Sequence, residues 1–229
     1  MNLSYEKLGN DEADIVVVYL ALMRSGQIAS EVLNHIKENR AEMDCLFVTV
    51  WVPESEWGDL LTPWPEKEKA GSVTSFGGRA KEMYDWLCDS LIPQICQDSK
   101  KQKEDIRWVL GGYSLAGLFS LWAMYQTDLF EGIVSGSGSV WYPSFLVYAE
   151  EHSFYAKYLY MSLGDKEEKT RNTKMRVVGD VTRTLCDHYR ENMGDRYFFE
   201  WNPGNHFFQS EQRMEKGFVK LLDMMAAKE

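Results

Sequence analysis

Ile106-Arg107-Trp108-Val109-Leu110-Gly111-Gly112-Tyr113-Ser114-Leu115-Ala116-Gly117-Leu118-Phe119-Ser120-Leu121-Trp122 is the stretch that decides how this chain is read. It opens on a short apolar run rich in β-formers, bounded by Gly111-Gly112, which predicts a buried strand. It closes on a proline-free apolar segment, Leu115 to Tyr125, which predicts a helix packed on a sheet. Between them stands one serine with small neighbours. A sharp strand-to-helix turn needs such neighbours, because the backbone there is strained and approaches itself closely. The turn holds the serine hydroxyl above the sheet, beside the first N–H groups of the helix. Its usual pattern is G-x-S-x-G; here Gly112-Tyr113-Ser114-Leu115-Ala116 ends in alanine, followed by Gly117. Alanine is small, so the departure is mild. The competing reading is a serine that merely caps the helix. A nucleophile requires a base, an acid and oxyanion donors from the rest of the chain.

Outward from this turn, strands and helices alternate. Asp14 to Leu20 is a continuous β-branched run, as expected of a strand buried on both faces. A loop over Ala21–Gly26, a helix over Gln27–Arg40 and a second buried strand over Cys45–Val52 complete a strand–helix–strand unit. Pro53 to Gly78 reads as one long irregular stretch rich in Trp, Pro and Gly. Segments of this length are commonly functional, and a surface loop pinned by its own tryptophans is the alternative. Ala80–Gln97 reads as a helix that Pro93 bends or ends early. Phe130–Val134 is a short strand, followed by a small-residue turn over Ser135–Ser139. Ser144–His152 is weakly helical and Lys157–Leu163 is a strand. Thr173–Asn192 is a helix, Arg196–Trp201 a last strand and Phe207–Ala227 a final amphipathic helix. The pattern predicts an α/β fold over residues 1–229 as a single domain. Its sheet is mostly parallel, with helices on both faces and ligands gathered at the carboxyl ends of the strands.

The 229 residues are 45% hydrophobic and 26% charged, ordinary globular usage with enough chain for a substantial core. A formal net charge of −10 argues against nucleic acid or an anionic membrane as partner. No apolar run approaches the ~20 residues of a membrane span, and residues 1–14 show no signal-peptide pattern. The four cysteines, Cys45, Cys88, Cys96 and Cys186, form no C-x-x-C and lie in apolar segments. They read as reduced, buried thiols of a cytoplasmic protein rather than as a metal site. No metal or organic cofactor is expected.

A base is found among four histidines. His35 lies in a helix, His152 ends one beside Glu150 and Glu151, and His188 sits in a charged helix. His206 alone occupies a Pro/Gly/Asn turn just beyond a strand, as Ser114 does. The turn after Leu163, Gly164-Asp165-Lys166-Glu167-Glu168, brings three carboxylates to a third strand end. Any of the three suits the acid, which must accept from the imidazole's second N–H. A solvated acidic turn is the alternative.

Four segments together resemble an esterase family of α/β hydrolases that includes siderophore esterases, feruloyl esterase domains, S-formylglutathione hydrolase and mycolyltransferases. They are Gly112-Tyr113-Ser114-Leu115-Ala116-Gly117, Ser137-Gly138-Ser139-Val140-Trp141-Tyr142, Leu163-Gly164-Asp165-Lys166-Glu167-Glu168 and Gly204-Asn205-His206-Phe207. The resemblance spans about residues 14 to 225. It implies an α/β-hydrolase fold, Ser114 as nucleophile, His206 as base and, three residues past the strand-end glycine, Glu167 as acid. Many relatives carry a His-Gly or His-Asp-Gly after the first of these strands, where one oxyanion donor resides. Here Tyr19-Leu20 runs into Ala21-Leu22-Met23. A backbone N–H needs no particular side chain, so Leu22 is the expected first donor and Leu115 the second. Trp64, Trp141 and Tyr142 would form an aromatic wall for a small-molecule ester, unless they are plain core. The implied activity is ester hydrolysis by a serine enzyme. An acyltransferase on the same site and a non-catalytic binding protein are the alternatives.

Overall fold

A computed structural model describes residues 1, 3–22, 27–40, 43–66 and 76–227. Strand β1 (Ser4–Gly9) precedes the first buried strand, β2 (Ile15–Leu22), and helix α1 (Ile28–Asn39) leads to β3 (Cys45–Val52). Then come α2 (Glu54–Leu60) and a small hairpin of β4 (Pro65–Glu66) and β5 (Phe76–Gly77). Next are α3 (Ala80–Trp86), α4 (Ile92–Ser99), β6 (Arg107–Tyr113) and α5 (Leu115–Ala123). The chain continues with β7 (Phe130–Gly136), α6 (Phe145–Glu151), β8 (Tyr158–Gly164), α7 (Val178–Met193), β9 (Tyr197–Asn202) and α8 (Ser210–Ala226). Among the described residues the long strands form a seven-stranded sheet in the order β1-β3-β2-β6-β7-β8-β9. Within that sheet only β1 pairs antiparallel; its other pairs are parallel.

The β-branched run of β2 is buried on both faces. Val16, Val18 and Leu20 join the core beneath α3–α7, while Ile15, Val17 and Tyr19 join the core beneath α1 and α8. Helix α5 is buried at every position from Leu115 to Ala123, as expected for an apolar helix lying centrally against a parallel sheet. The helix expected over 80–97 is one rod with a π turn at Leu87–Leu91. Pro93 lacks the N–H that an α-helix would use there, and the wider turn absorbs the mismatch before α4 resumes.

Two expectations need correction, and one strand was not anticipated. Strand β1 carries an alternating, largely exposed pattern, so its polar edge gave no buried-strand signal. The stretch 53–78 is not irregular throughout: Glu54 and Glu56 favour a helix start after extended Pro53, and α2 forms there. Ala21 and Leu22 are not loop but the last residues of β2, with Leu22 paired to Val52. The rest of the expected loop, 23–26, and residues 67–75 of the long stretch lie outside the described residues. The thiols are all free, Cys45 and Cys186 buried but Cys88 and Cys96 only half-buried.

The glycines of β6 set how closely α5 can approach. A Cβ on Gly112 would stand 2.3 Å from the Ala116 Cβ and 2.7 Å from its backbone carbon. The small residue needed at the start of α5 is thus matched by the missing side chain on the strand. We expect Gly112→Ala to push α5 from the sheet and destabilise the fold by about 1–3 kcal/mol, the usual cost of overpacking. Urea denaturation checks this; an unchanged midpoint at unchanged slope would show that the turn tolerates a methyl group there.

Candidate active site

Ser114 has φ 60° and ψ −119°, a conformation that costs energy for any residue with a Cβ. The turn is held by Ser114 N donating to the Gly136 carbonyl at 3.0 Å and Ser139 N donating to the Ser114 carbonyl at 3.0 Å. The hydroxyl is thereby presented at the carboxyl end of β6, half-exposed. His206, in the turn after β9, places Nε2 3.0 Å from Ser114 Oγ. Its Nδ1 lies 2.7 Å from Glu167 Oε2. Serine, histidine and glutamate therefore form one hydrogen-bonded chain across the ends of three strands.

The three carboxylates after β8 have three different partners. Asp165 Oδ1 accepts from Gly204 N at 2.7 Å, bracing the turn that carries His206. Glu168 takes both oxygens to Arg183 at 3.0 and 2.9 Å. Glu167 folds back over its own turn and is buried. Its Oε1 accepts from Ser137 Oγ at 2.7 Å, Gly164 N at 2.8 Å and Arg213 Nη1 at 2.9 Å, leaving Oε2 toward the imidazole. Burial pushes the carboxyl up. Hydrogen bonding to His206, its charge, and the Ser137 and Gly164 donors outweigh burial, holding it below its ordinary value near 4.5.

Arg213, Ser137 and Tyr113 are site residues that the sequence reading did not single out. Arg213 lies on the buried stripe of α8 with Met214, Gly217, Phe218 and Leu221. A lone arginine on an apolar stripe was the available signal, since such a charge needs a buried partner. Tyr113 OH donates to the His206 carbonyl at 2.6 Å. Ser139 is a buried neighbour whose Oγ stands 3.3 Å from Ser114 Oγ.

Two cavities meet at Ser114. One of about 350 Å³ is bordered by Leu22, Trp57 and Tyr113. The other, about 560 Å³, is bordered by Leu115, Phe76, Trp141, Met175 and Val178. Trp57, Ser114, His206 and Phe207 line both. Leu115 opens α5, where a helix leaves its first N–H groups without intrahelical acceptors. Of the three expected wall aromatics, Trp141 faces the larger cavity. Tyr142 is buried, and its OH donates to the Trp64 carbonyl at 2.6 Å. Trp64 Nε1 donates to the Pro143 carbonyl at 2.9 Å. These two knit the chain behind Phe76 and Trp141 rather than border either cavity. Among the described residues no group of three or more His, Cys, Asp or Glu is arranged to hold a metal ion.

The seven-stranded sheet, its helices on both faces and the serine turn after β6 are those of the α/β-hydrolase fold. No family model matches the sequence. A Bacillus subtilis (strain 168) protein, uncharacterized protein YbbA, is 27% identical over 136 residues, 58% of this chain. The match covers 54% of that protein, about half its length. Among solved structures, an IroE-like serine hydrolase from Shewanella oneidensis superposes with a TM-score of 0.78 at 19% identity, over 96% of this chain and 76% of that one. The siderophore hydrolase EstA from Aspergillus nidulans gives 0.73 at 13% identity, over 97% and 95%. The fold is thus shared with esterases of the α/β-hydrolase type.

The lowered Glu167 value has a consequence for stability. A carboxylate whose folded value lies below its unfolded one stabilises the fold above about pH 4.5, and that contribution is lost as pH falls through the folded value. The difference in unfolding free energy between the unmodified chain and Glu167→Gln should therefore shrink from about pH 6 to about pH 3 in urea titrations. A difference independent of pH would show that the carboxylate is not held ionised.

Proposed function

We propose that this chain is a serine hydrolase that cleaves carboxylic esters of small molecules. The observation that carries the reading is the unbroken chain Ser114 Oγ–His206 Nε2 at 3.0 Å and His206 Nδ1–Glu167 Oε2 at 2.7 Å, opening onto two cavities. In this reading Ser114 Oγ attacks the ester carbonyl carbon while His206 Nε2 takes its proton. Glu167 holds the imidazole in the tautomer that leaves Nε2 free to accept, and stabilises the imidazolium that forms. Collapse of the tetrahedral intermediate returns the proton to the leaving alcohol. Water, activated by the same histidine, then resolves the acyl-enzyme. In this reading Leu115 N–H is one oxyanion donor, and Leu22, at the end of β2 on the wall of the smaller cavity, is the candidate for the second. Each such donor is worth about 3–4 kcal/mol in comparable sites. Trp141, with Phe76 and Trp57, supplies the apolar wall.

Two likenesses support the reading: the structures that share the fold are described as a serine hydrolase and a siderophore hydrolase. The reading takes residues 1–229 as a single α/β-hydrolase domain with no cofactor. Free thiols support a cytoplasmic location. No helix among the described residues is long and apolar enough to cross a membrane.

The decisive experiment is hydrolysis of p-nitrophenyl esters of graded chain length, together with fluorophosphonate labelling. Ser114→Ala should abolish both while keeping the fold, and His206→Ala should leave almost no turnover. Labelling of the Ser114→Ala protein at the unmodified level would overturn the nucleophile. Glu167→Gln should lower turnover at least ~10²-fold, against ~10⁴-fold for the acid of a well-studied protease triad. Asp165→Asn and Glu168→Gln should cost much less. Small, equal losses for all three would mean a Ser114–His206 pair working without the carboxylate.

A further inference from the structure

The buried guanidinium of Arg213 reaches parts of the site that come from four separate strand ends. Nη1 lies 2.9 Å from Glu167 Oε1, 2.9 Å from Ser137 Oγ and 3.0 Å from Tyr113 OH. Nη2 donates to the Pro203 carbonyl at 3.0 Å and the Asn205 carbonyl at 2.9 Å. Tyr113 precedes the serine and holds the His206 carbonyl, Ser137 and Glu167 belong to the acid, and residues 203–205 carry the histidine.

We propose that Arg213 is a positioning residue: it fixes Glu167 so that Oε2 faces His206, and it pins the turn that presents His206 to Ser114. The proposal rests on the serine-hydrolase reading of those three residues but reaches past it, to a residue that touches neither substrate nor nucleophile. A carboxylate has two equivalent oxygens, and its terminal torsion is soft. With one donor it would turn freely between partners. Three donors on Oε1, one of them permanently charged, remove that freedom and leave a single oxygen for the imidazole. The same guanidinium holds both carbonyls that flank Gly204, a residue with φ 95°, so the distance between base and acid is set by one rigid planar group. A lysine would bring the charge but not the fork, and one ammonium does not span the carboxylate and both carbonyls in a fixed plane.

The test uses the full chain in five forms: unmodified, Glu167→Gln, Arg213→Met, Arg213→Lys and the Glu167→Gln/Arg213→Met double variant. Circular dichroism and urea denaturation establish that each folds. With p-nitrophenyl butyrate, Arg213→Met should lower kcat by at least about tenfold with KM within about twofold, the pattern of lost transition-state organisation. Arg213→Lys should recover part of that loss. The double variant should lose less than a further tenfold relative to Glu167→Gln, because the arginine acts mainly through the carboxylate and only the pinning of the His206 turn is then left to lose. If Arg213→Met does not fold, that last comparison carries the test, since the double variant leaves no unpaired buried charge. A further tenfold loss in it, or an unchanged kcat in folded Arg213→Met, overturns the proposal. A second readout does not depend on turnover: the downfield NMR proton of His206 Nδ1–H should be present in the unmodified chain and in Ser114→Ala, and shifted or lost in Arg213→Met or Arg213→Lys. An unmoved signal in those arginine variants overturns the positioning role. An unmodified chain that neither hydrolyses esters nor accepts the fluorophosphonate defeats the hydrolase reading instead, and the NMR comparison still decides Arg213.

Discussion

A carboxylate inside a protein is the constraint around which this site is built. The side chain of Glu167 is 4% exposed, and an ionised group so placed is strongly disfavoured unless charge and hydrogen bonds replace its water. The replacement comes from its own turn, from the turns after β7 and β9, and from α8. Gly164 gives its N–H, Ser137 its hydroxyl, Arg213 its charge and His206 its ring nitrogen. Such a pair is weak evidence for net stability, but removing one partner leaves a bare buried charge at a typical cost of about 3–5 kcal/mol. Gly164 also has to be glycine: a Cβ there would meet the Gly204 carbonyl at 2.5 Å and Glu167 Oε1 at 2.9 Å. The turn after β8 and the turn after β9 are therefore fitted to one another through Glu167.

Of the five non-glycine residues with positive φ among the described residues, three stand around the same site. Ser114, Ser137 and Gln209 have φ of 60°, 44° and 52°, each at the junction where a strand or turn yields to the site. Residues of this kind persist only when surrounding structure over-determines them. For Ser114 that structure is the fully buried α5 on one side and two backbone hydrogen bonds on the other. For Ser137 it is the donation of its N–H to the Ser162 carbonyl at 2.8 Å, together with its hydroxyl on Glu167. The strained serine after β6 thus presents its own hydroxyl, the strained serine beyond β7 holds Glu167, and Ser139 ties the second turn back to the first.

How much of this was legible in the chain follows from which forces leave a local trace. Runs such as Ile15–Tyr19 and Cys45–Val50 announce themselves, because burial on both faces selects apolar β-branched residues at successive positions. The polar edge of β1 and the seven-residue α2 are set by what they pack beside, and their composition resembles loop. Ser114 and His206 stood out because each sits in a small-residue turn at the end of an apolar run. Glu167 was one of three carboxylates, and the residues alone left them equal. What separates them is the back-folding of its side chain onto Gly164, which is a tertiary fact. Arg213 lies 46 residues from Glu167, so only the exception it makes in the apolar stripe of α8 hinted at a partner. Trp64 and Tyr142 show the reverse: aromatics beside a site in sequence, yet spent on holding one segment to another.

The two sides of the cleft are made of different material, and the chemistry explains why. On the proposed reading, the groups that exchange a proton have to stay within a few tenths of an ångström of their working distances, and all of them stand on the ends of β6, β7, β8 and β9 or are clamped to those ends. The surfaces that would meet a substrate come instead from the pieces inserted between strands. Trp57 belongs to α2, Phe76 to the small β4–β5 hairpin, and Met175 to the turn before α7. Phe207 follows the histidine directly yet leaves its ring 87% exposed, packed edge-on to His206 at 5.3 Å between ring centres. An exposed phenyl at the rim of both cavities gains most from being covered, and it touches His206 without sharing its hydrogen bonds. On the proposed hydrolase reading, substrate preference is free to change through α2, the hairpin, Met175 and Phe207 while the strand ends keep the proton-transfer distances fixed.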